Sequence, residues 1–299
     1  MPQSSSRPDA RDPKEGLGSS PSLEAGLYVV ATPIGNLRDI TLRALEVLAG
    51  VDMILAEDTR VTRKLLSAHG ISTRLERSDE HAVAALVPRV QADLASGRRI
   101  ALVSDAGTPL VSDPGDRIVR AAIAAGARVW PIPGPSAVLA ALVASGLAGG
   151  PFTFAGFAPA KVKARRDFFD SFVDAPGALV LFETGPRLAD SLADMAAIFG
   201  DRPAAVAREL TKMFEEVRRG SLSELALAAA VGVPPRGEIV VVIGAPPPPA
   251  AADQEAIDVA LRRALASAPL KTAVSDVAAA LGAPRRLVYA RALVLRDEE

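Results

Sequence analysis

RIALVSDAGTPLVSDPG, residues 99–115, is the stretch on which the reading of this chain turns. Ile100 to Val103 is a short run of apolar residues, the composition of a strand buried on both faces of a parallel sheet. It ends on Ser104-Asp105, Ala106-Gly107 and Thr108-Pro109, and a second Ser-Asp-Pro-Gly turn follows at 112–115. Open α/β sheets bind ligands in the crevice outside the carboxyl ends of their strands. A carboxylate, a glycine and a hydroxyl at such an end predict a small-molecule site: the glycine admits a ligand close to the backbone, while Asp105 and Thr108 supply polar contacts. Asp, Gly, Thr and Pro also make ordinary strand-to-helix turns. On these residues alone both readings stand.

Composition narrows the classes. The 299 residues are 49% hydrophobic and 23% charged, which suits two globular domains with sizeable cores. The net charge of −1 means that contact with nucleic acid has to come from local basic patches. With no cysteine and two histidines, His69 and His81, there are no disulfides or thiolate sites, and no metal site is expected. Met1 to Gly26 is rich in Ser, Pro, Gly and charge, and reads as a disordered tail rather than a secretory signal. The apolar run Ala137 to Ala148 is too short to span a bilayer, so the expectation is a soluble, cytoplasmic protein.

Outward from residues 99–115, strands at Leu27–Thr32, Val51–Ala56 and Arg128–Pro133 alternate with helices at 40–49, from after Arg60 to about His69, at 82–96, at 116–125 and after Ser136. That alternation predicts a mostly parallel sheet over 27–150. Composition changes at Gly149-Gly150-Pro151. A second α/β domain over 151–244 is predicted, with strands at 153–157, 178–182, 204–208, 214–218 and 238–243. The close spacing of its later strands predicts mixed or antiparallel pairing. Ser221-x-x-Glu224 is a capping box. Residues 245–252 form a proline-rich linker, and 253–299 read as a small helical unit whose last helix carries Arg285, Arg286, Arg291 and Arg296. A helix-turn-helix and a merely solvated basic face both fit that pattern.

No G-x-G-x-x-G follows a strand, and P-loop and G-x-S-x-G motifs are absent, which excludes ordinary dinucleotide dehydrogenases, P-loop nucleotidases and serine esterases of the nucleophile-elbow type. What the chain offers is a set of strand-end loops: TPIGNLRDIT (32–41), AEDTR (56–60), ALVSDAGTPLVSDPG (101–115), PGPSA (133–137) and ARELTK (207–212). In order and spacing these five resemble the tetrapyrrole-methylase superfamily, and within it the bacterial 16S rRNA (cytidine-2′-O)-methyltransferase family. The resemblance runs from Leu27 to about Ile243. The chain departs from the family pattern at Asp79-Glu80-His81-Ala82 and at Phe182-Glu183-Thr184-Gly185-Pro186-Arg187.

The resemblance implies a two-domain class III methyltransferase, homodimeric, holding S-adenosylmethionine between its domains. Carried over, Pro33, Asp105, Gly107, Thr108, Gly134, Ser136 and Ala137 form one wall of that site, and Phe182, Ala207 and Gly237 the other. The reaction implied is displacement on the methyl group by a ribose 2′-hydroxyl, with Asp58 and Glu209 as candidate bases. Arg60, Arg208, Lys212 and the run Lys161, Lys163, Arg165, Arg166 are the expected contacts to 16S rRNA of the small ribosomal subunit. A small-molecule methyltransferase and a non-catalytic RNA-binding factor are the alternatives that the same residues leave open.

Overall fold

The computed structural model describes residues 23–110, 115–247 and 254–297. Most of the expected tail (1–26), the turn residues 112–114 and most of the proline-rich linker (245–252) lie outside the described residues.

The first sheet is built from β1 (Gly26–Val30), β2 (Met53–Ala56), β3 (Leu75–Arg77), β4 (Arg99–Val103) and β5 (Val129–Ile132). All its pairings are parallel, in the order β3-β2-β4-β1-β5. Alternate residues face opposite layers. Tyr28, Val30, Ile54 and Ala101 pack with α1 (Leu42–Gly50) and α2 (Thr59–Ala68), while Leu27, Met53, Leu55 and Ile100 pack with α3 (Glu80–Ala95) and α4 (Asp116–Ala124). Burial on both faces is why these strands read as unbroken apolar runs. Each fully buried Leu or Ile contributes about 1.5–3 kcal/mol relative to exposure. The strand order turns back between β1 and β4: the connection leaving β1 runs to β2, beyond β4, and the one leaving β4 runs to β5 on the other side. Loops that diverge from neighbouring strand ends leave a crevice between them.

α5 (Ala137–Ser145) links the two halves of the chain. Ser136 caps it, accepting the Leu139 N–H, and Gly146 ends it in the left-handed conformation. It follows β5 of the first sheet, yet its Val138, Ala141 and Leu142 lie against the second. That sheet comprises β6 (Phe152–Phe157), β7 (Ala178–Thr184), β8 (Pro203–Arg208), β9 (Glu216–Ser221) and β10 (Glu238–Ile243), ordered β6-β7-β10-β8-β9. β6 and β7 pair in parallel and the remaining neighbours are antiparallel. α6 (Val162–Asp170), α7 (Gly185–Phe199) and α8 (Leu222–Val231) accompany it, and the Ser221–Glu224 capping box starts α8. α9 (Gln254–Leu265), α10 (Leu270–Ala280) and α11 (Arg285–Asp297) share a separate small core around Ile257, Leu261, Val277 and Val288.

Two strand expectations shift. β9 begins at Glu216 rather than Phe214, because its register is set by pairing with β8 (Arg208 opposite Glu216), and Met213 and Phe214 stay exposed. β3 was not expected: at three residues it is too short for any alternation to show. Among the described residues no helix is long and apolar enough to cross a membrane.

Candidate active site

The loops after β1 and β4 are tied at the crevice. Thr32 and Gly107 exchange both backbone hydrogen bonds (2.9 and 3.0 Å), and the Thr32 hydroxyl donates to the Ser104 carbonyl. Gly107 has φ +78°, a conformation that L side chains rarely adopt. The Thr108 hydroxyl donates to the Pro135 carbonyl, fixing the third loop (3.3 Å). An Asp105 carboxylate oxygen accepts the Asp58 N–H (2.9 Å), which brings in the fourth.

Together these loops and the edge of the second sheet enclose a cleft of ≈ 380 Å³. Of the residues expected at the cofactor site, Asp105, Gly107, Thr108, Ser136, Ala137, Phe182 and Gly237 line it. Pro33 lines an adjoining cavity, Gly134 packs behind the wall against Ala31, and Ala207 is buried in the core shared with α5. Phe157 and Phe154 flank the Phe182 ring at 5.3 and 4.9 Å between centroids. The charged residues lining this cleft are Glu57, Asp105, Glu183 and Glu238, with no Lys or Arg among them. Glu183 is locked in place: its carboxylate accepts the Thr184 N–H and the Ser191 hydroxyl.

Both expected bases are held by neighbours. Asp58 is the N-cap of α2, accepts the Arg60 N–H (2.8 Å) and grips the Arg60 guanidinium with both oxygens (2.6–3.1 Å). Those contacts with Arg60 hold its carboxyl at about 2, so it is a weak proton acceptor. Glu209 takes Lys212 Nζ at 2.8 Å and the Glu238 N–H at 3.1 Å on one oxygen. The Lys212 hydrogen bond, opposed by burial, keeps the Glu209 carboxyl below its ordinary value. Burial works to lower Lys212, but Glu209 and Glu238 outweigh it and raise its pKa. The structure gives Asp58 and Glu209 positioning contacts, and Lys212 a firmly held positive charge. Two non-glycine residues of that loop, Glu209 (φ 49°) and Thr211 (φ 67°), sit in the left-handed region, the kind of local strain found where geometry is held for function.

The expected RNA contacts divide. Lys161 and Lys163 are exposed on the N-terminal end of α6, and Arg60 is 84% exposed. Arg165 is corrected: its side chain is 5% exposed and donates to Asp194, on the same helix face as buried Phe169. Arg166 also donates to Asp194, from the surface. Arg208 lines a separate cavity with Leu188 and Leu225 of α7 and α8, away from the donor cleft, and donates to the Arg236 carbonyl. Glu57, Glu183 and Glu238 belong to strand-end loops that the sequence places at one cleft, and they line it, although no donor-binding role was expected of them. The first stands inside AEDTR beside Asp58, while Glu183 near the end of β7 and Glu238 at the start of the antiparallel β10 lie at the same sheet edge. Among the described residues no three His, Asp or Glu side chains group as a metal site would need.

The fold and these loops have close relatives. The family described as Tetrapyrrole (Corrin/Porphyrin) Methylases matches residues 26–226, and the RsmI C-terminal HTH domain matches residues 251–296. Ribosomal RNA small subunit methyltransferase I of Mesorhizobium japonicum is 50% identical over 277 residues, covering 92% of this chain and 94% of that protein. The chain belongs to the ribosomal RNA small subunit methyltransferase I family, within the tetrapyrrole methylases. The member from Neisseria meningitidis serogroup B is 43% identical over 91% of this chain and 94% of its own. Among solved structures, uroporphyrin-III C-methyl transferase from Thermus thermophilus complexed with S-adenosyl homocysteine superposes with a TM-score of 0.52 at 20% identity, over 73% of this chain and 97% of its own. That likeness carries the two-sheet methylase fold to this family member, and the small core of α9–α11 falls within the match to the C-terminal domain.

Proposed function

We propose that this enzyme transfers the methyl group of S-adenosylmethionine to the ribose 2′-hydroxyl of a cytidine in 16S rRNA of the small ribosomal subunit. The observation that carries the donor half is the all-acidic charged lining of the 380 Å³ cleft. Glu238 and Glu183 are paired with Lys212 and Arg187, which stand outside this lining, and with Asp105 and Glu57 they make the cleft's charged lining acidic, complementing the sulfonium and ammonium of the donor. Gly107 and Gly237, both at positive φ, give the lining turns that other residues adopt only with strain. Asp105, Thr108 and Ser136 supply polar atoms, and Phe182 an aromatic face. The sulfonium activates the methyl group when bound, so the protein's part is to align the hydroxyl and receive charge. In this reading the α/β units 27–150 and 151–244 close on the donor from both sides, the helical unit 253–299 stands apart, and the enzyme works in the cytoplasm as a homodimer. Lys161, Lys163 and Arg60, all exposed, supply contacts to the RNA backbone.

The direct test is transfer of labelled methyl from S-adenosylmethionine to purified 30S subunits from cells lacking the modification, with the product ribose mapped. Methylation of a single cytidine ribose is expected. Donor binding without any transfer to RNA would point to a small-molecule acceptor instead.

Glu209→Gln separates positioning from base catalysis. The carboxyl lies below its ordinary value and Lys212 above its own, so neither titrates between about pH 6 and 9. We expect a lower kcat, roughly tenfold by analogy with a lost positioning contact, on an unchanged pH profile. An acid limb present in the native enzyme and missing from the variant would make Glu209 the base after all.

A further inference from the structure

The donor cleft does not end at its acidic wall. Ile34, Asp105, Ala106 and Glu238 line it and also a second cavity, of ≈ 240 Å³, to which Leu37, Val61 and Lys212 contribute. To the two carboxylates it shares with the donor cleft, Asp105 and Glu238, the second cavity adds aliphatic side chains and a cation. Leu37 and Val61 are large aliphatic side chains left 43% and 41% exposed, on the loop after β1 and the first turn of α2. Facing them is the one cation of either lining, held by Glu209 and Glu238 at 2.8 and 3.1 Å. The second half of the chain presents this lysine to the first through a gap that only glycine leaves. A Cβ on Gly35 would lie 2.5 Å from Lys212 Cγ and 2.8 Å from Thr211 Oγ1, although the backbone there would accept any residue.

Resting on the reading of ribose methylation, we infer that this second cavity receives one unstacked nucleoside of the RNA. Its base lies on the Val61 and Leu37 side chains, and Lys212 meets its phosphate. The ribose then stands at the shared wall, where its 2′-hydroxyl looks into the donor cleft. Single-stranded RNA is read in this way, with a base splayed out of the stack onto a flat apolar surface and its backbone held by a cation. A cavity of this volume has room for one nucleoside.

Val61→Trp and Leu37→Trp test this by filling the cavity from partly exposed positions, where the fold tolerates bulk. Two readouts are taken on the full chain: calorimetric titration with S-adenosylmethionine, and methyl transfer to 30S subunits. A third is dimethyl sulfate footprinting of the target cytidine in 30S complexes made with S-adenosylhomocysteine. Donor affinity within about twofold of native, transfer down about a hundredfold, and loss of the footprint change seen with the native enzyme are expected. Gly35→Ala, which pushes Lys212 aside, is expected to raise KM for 30S while leaving donor affinity alone. Native transfer and a native footprint in both tryptophan variants would overturn the pocket, and so would loss of donor binding along with transfer. Failure of the native enzyme to methylate any ribose would instead remove the reading on which the pocket rests.

Discussion

Gly237→Ala is expected to cost the enzyme at least about a hundredfold in methyl transfer and to weaken donor binding at the same time. Gly237 has φ +99°, where an alanine is strained by about 1–3 kcal/mol. Its new methyl would collide with the Glu209 carboxylate, whose Cγ would lie 2.6 Å away. That carboxylate cannot yield cheaply, because it holds Lys212 Nζ and the Glu238 N–H on the same oxygen. One methyl group therefore narrows the donor cleft, which Gly237 lines, and releases the cation of the neighbouring cavity. Calorimetry with S-adenosylmethionine and single-turnover transfer would measure the two effects. Native values of both would mean that the loop relaxes freely and that its strain serves nothing.

The largest effect on stability is expected at Asp194→Ala. Asp194 and Arg165 are each 5% exposed, 2.6 Å apart at the closest atoms, and Arg166 donates to the second oxygen from the surface. Removing the carboxylate leaves a guanidinium buried without a partner, a loss of about 3–5 kcal/mol. For a domain of about a hundred residues that is a fall in Tm of roughly 20 °C. The double replacement Arg165→Met with Asp194→Leu is expected to recover most of it, since an apolar pair of similar volume often substitutes for a buried ion pair at little cost. A thermal melt of the native chain and the two variants decides the matter, and an Asp194→Ala chain as stable as the native one would refute it. The pH dependence has a definite sign. Burial raises the Asp194 carboxyl, but hydrogen bonds from Arg166 and Arg165 outweigh it, so its folded pKa is lowered. The stabilisation is therefore complete above the ordinary carboxylate range, and is lost as pH falls through the lowered value.

Arg165 also shows why some of the site was illegible in the sequence. Four cations in six residues, 161–166, read as one basic face. A helix distributes them around its axis, and Arg165 lies four residues before Phe169, on the inward side. Nothing at 161–166 announces the partner, Asp194, which lies 28 residues farther on in another helix. Arg208 misleads for a similar reason. It neighbours Ala207 in ARELTK, but adjacent strand residues point to opposite faces, so Ala207 packs toward α5 and Arg208 toward α7 and α8.

What the sequence determined by itself was the fold class and the loops that matter. Apolar runs of strand length, broken at glycine and aspartate, are a local signal, and their alternation with helices leaves few topologies for the first sheet. Seven of the ten residues expected to hold the donor line one cleft, because the loops leaving β4 and β5, the end of β7 and the loop entering its antiparallel neighbour β10 meet there. Only the tertiary structure decided which charges face that cleft. Its acidic lining, the burial of Arg165, the turning away of Arg208 and the passage of Lys212 over Gly35 all depend on how segments far apart in the chain pack. A charged side chain's role follows from its partner and its exposure, and neither is encoded in its immediate neighbours.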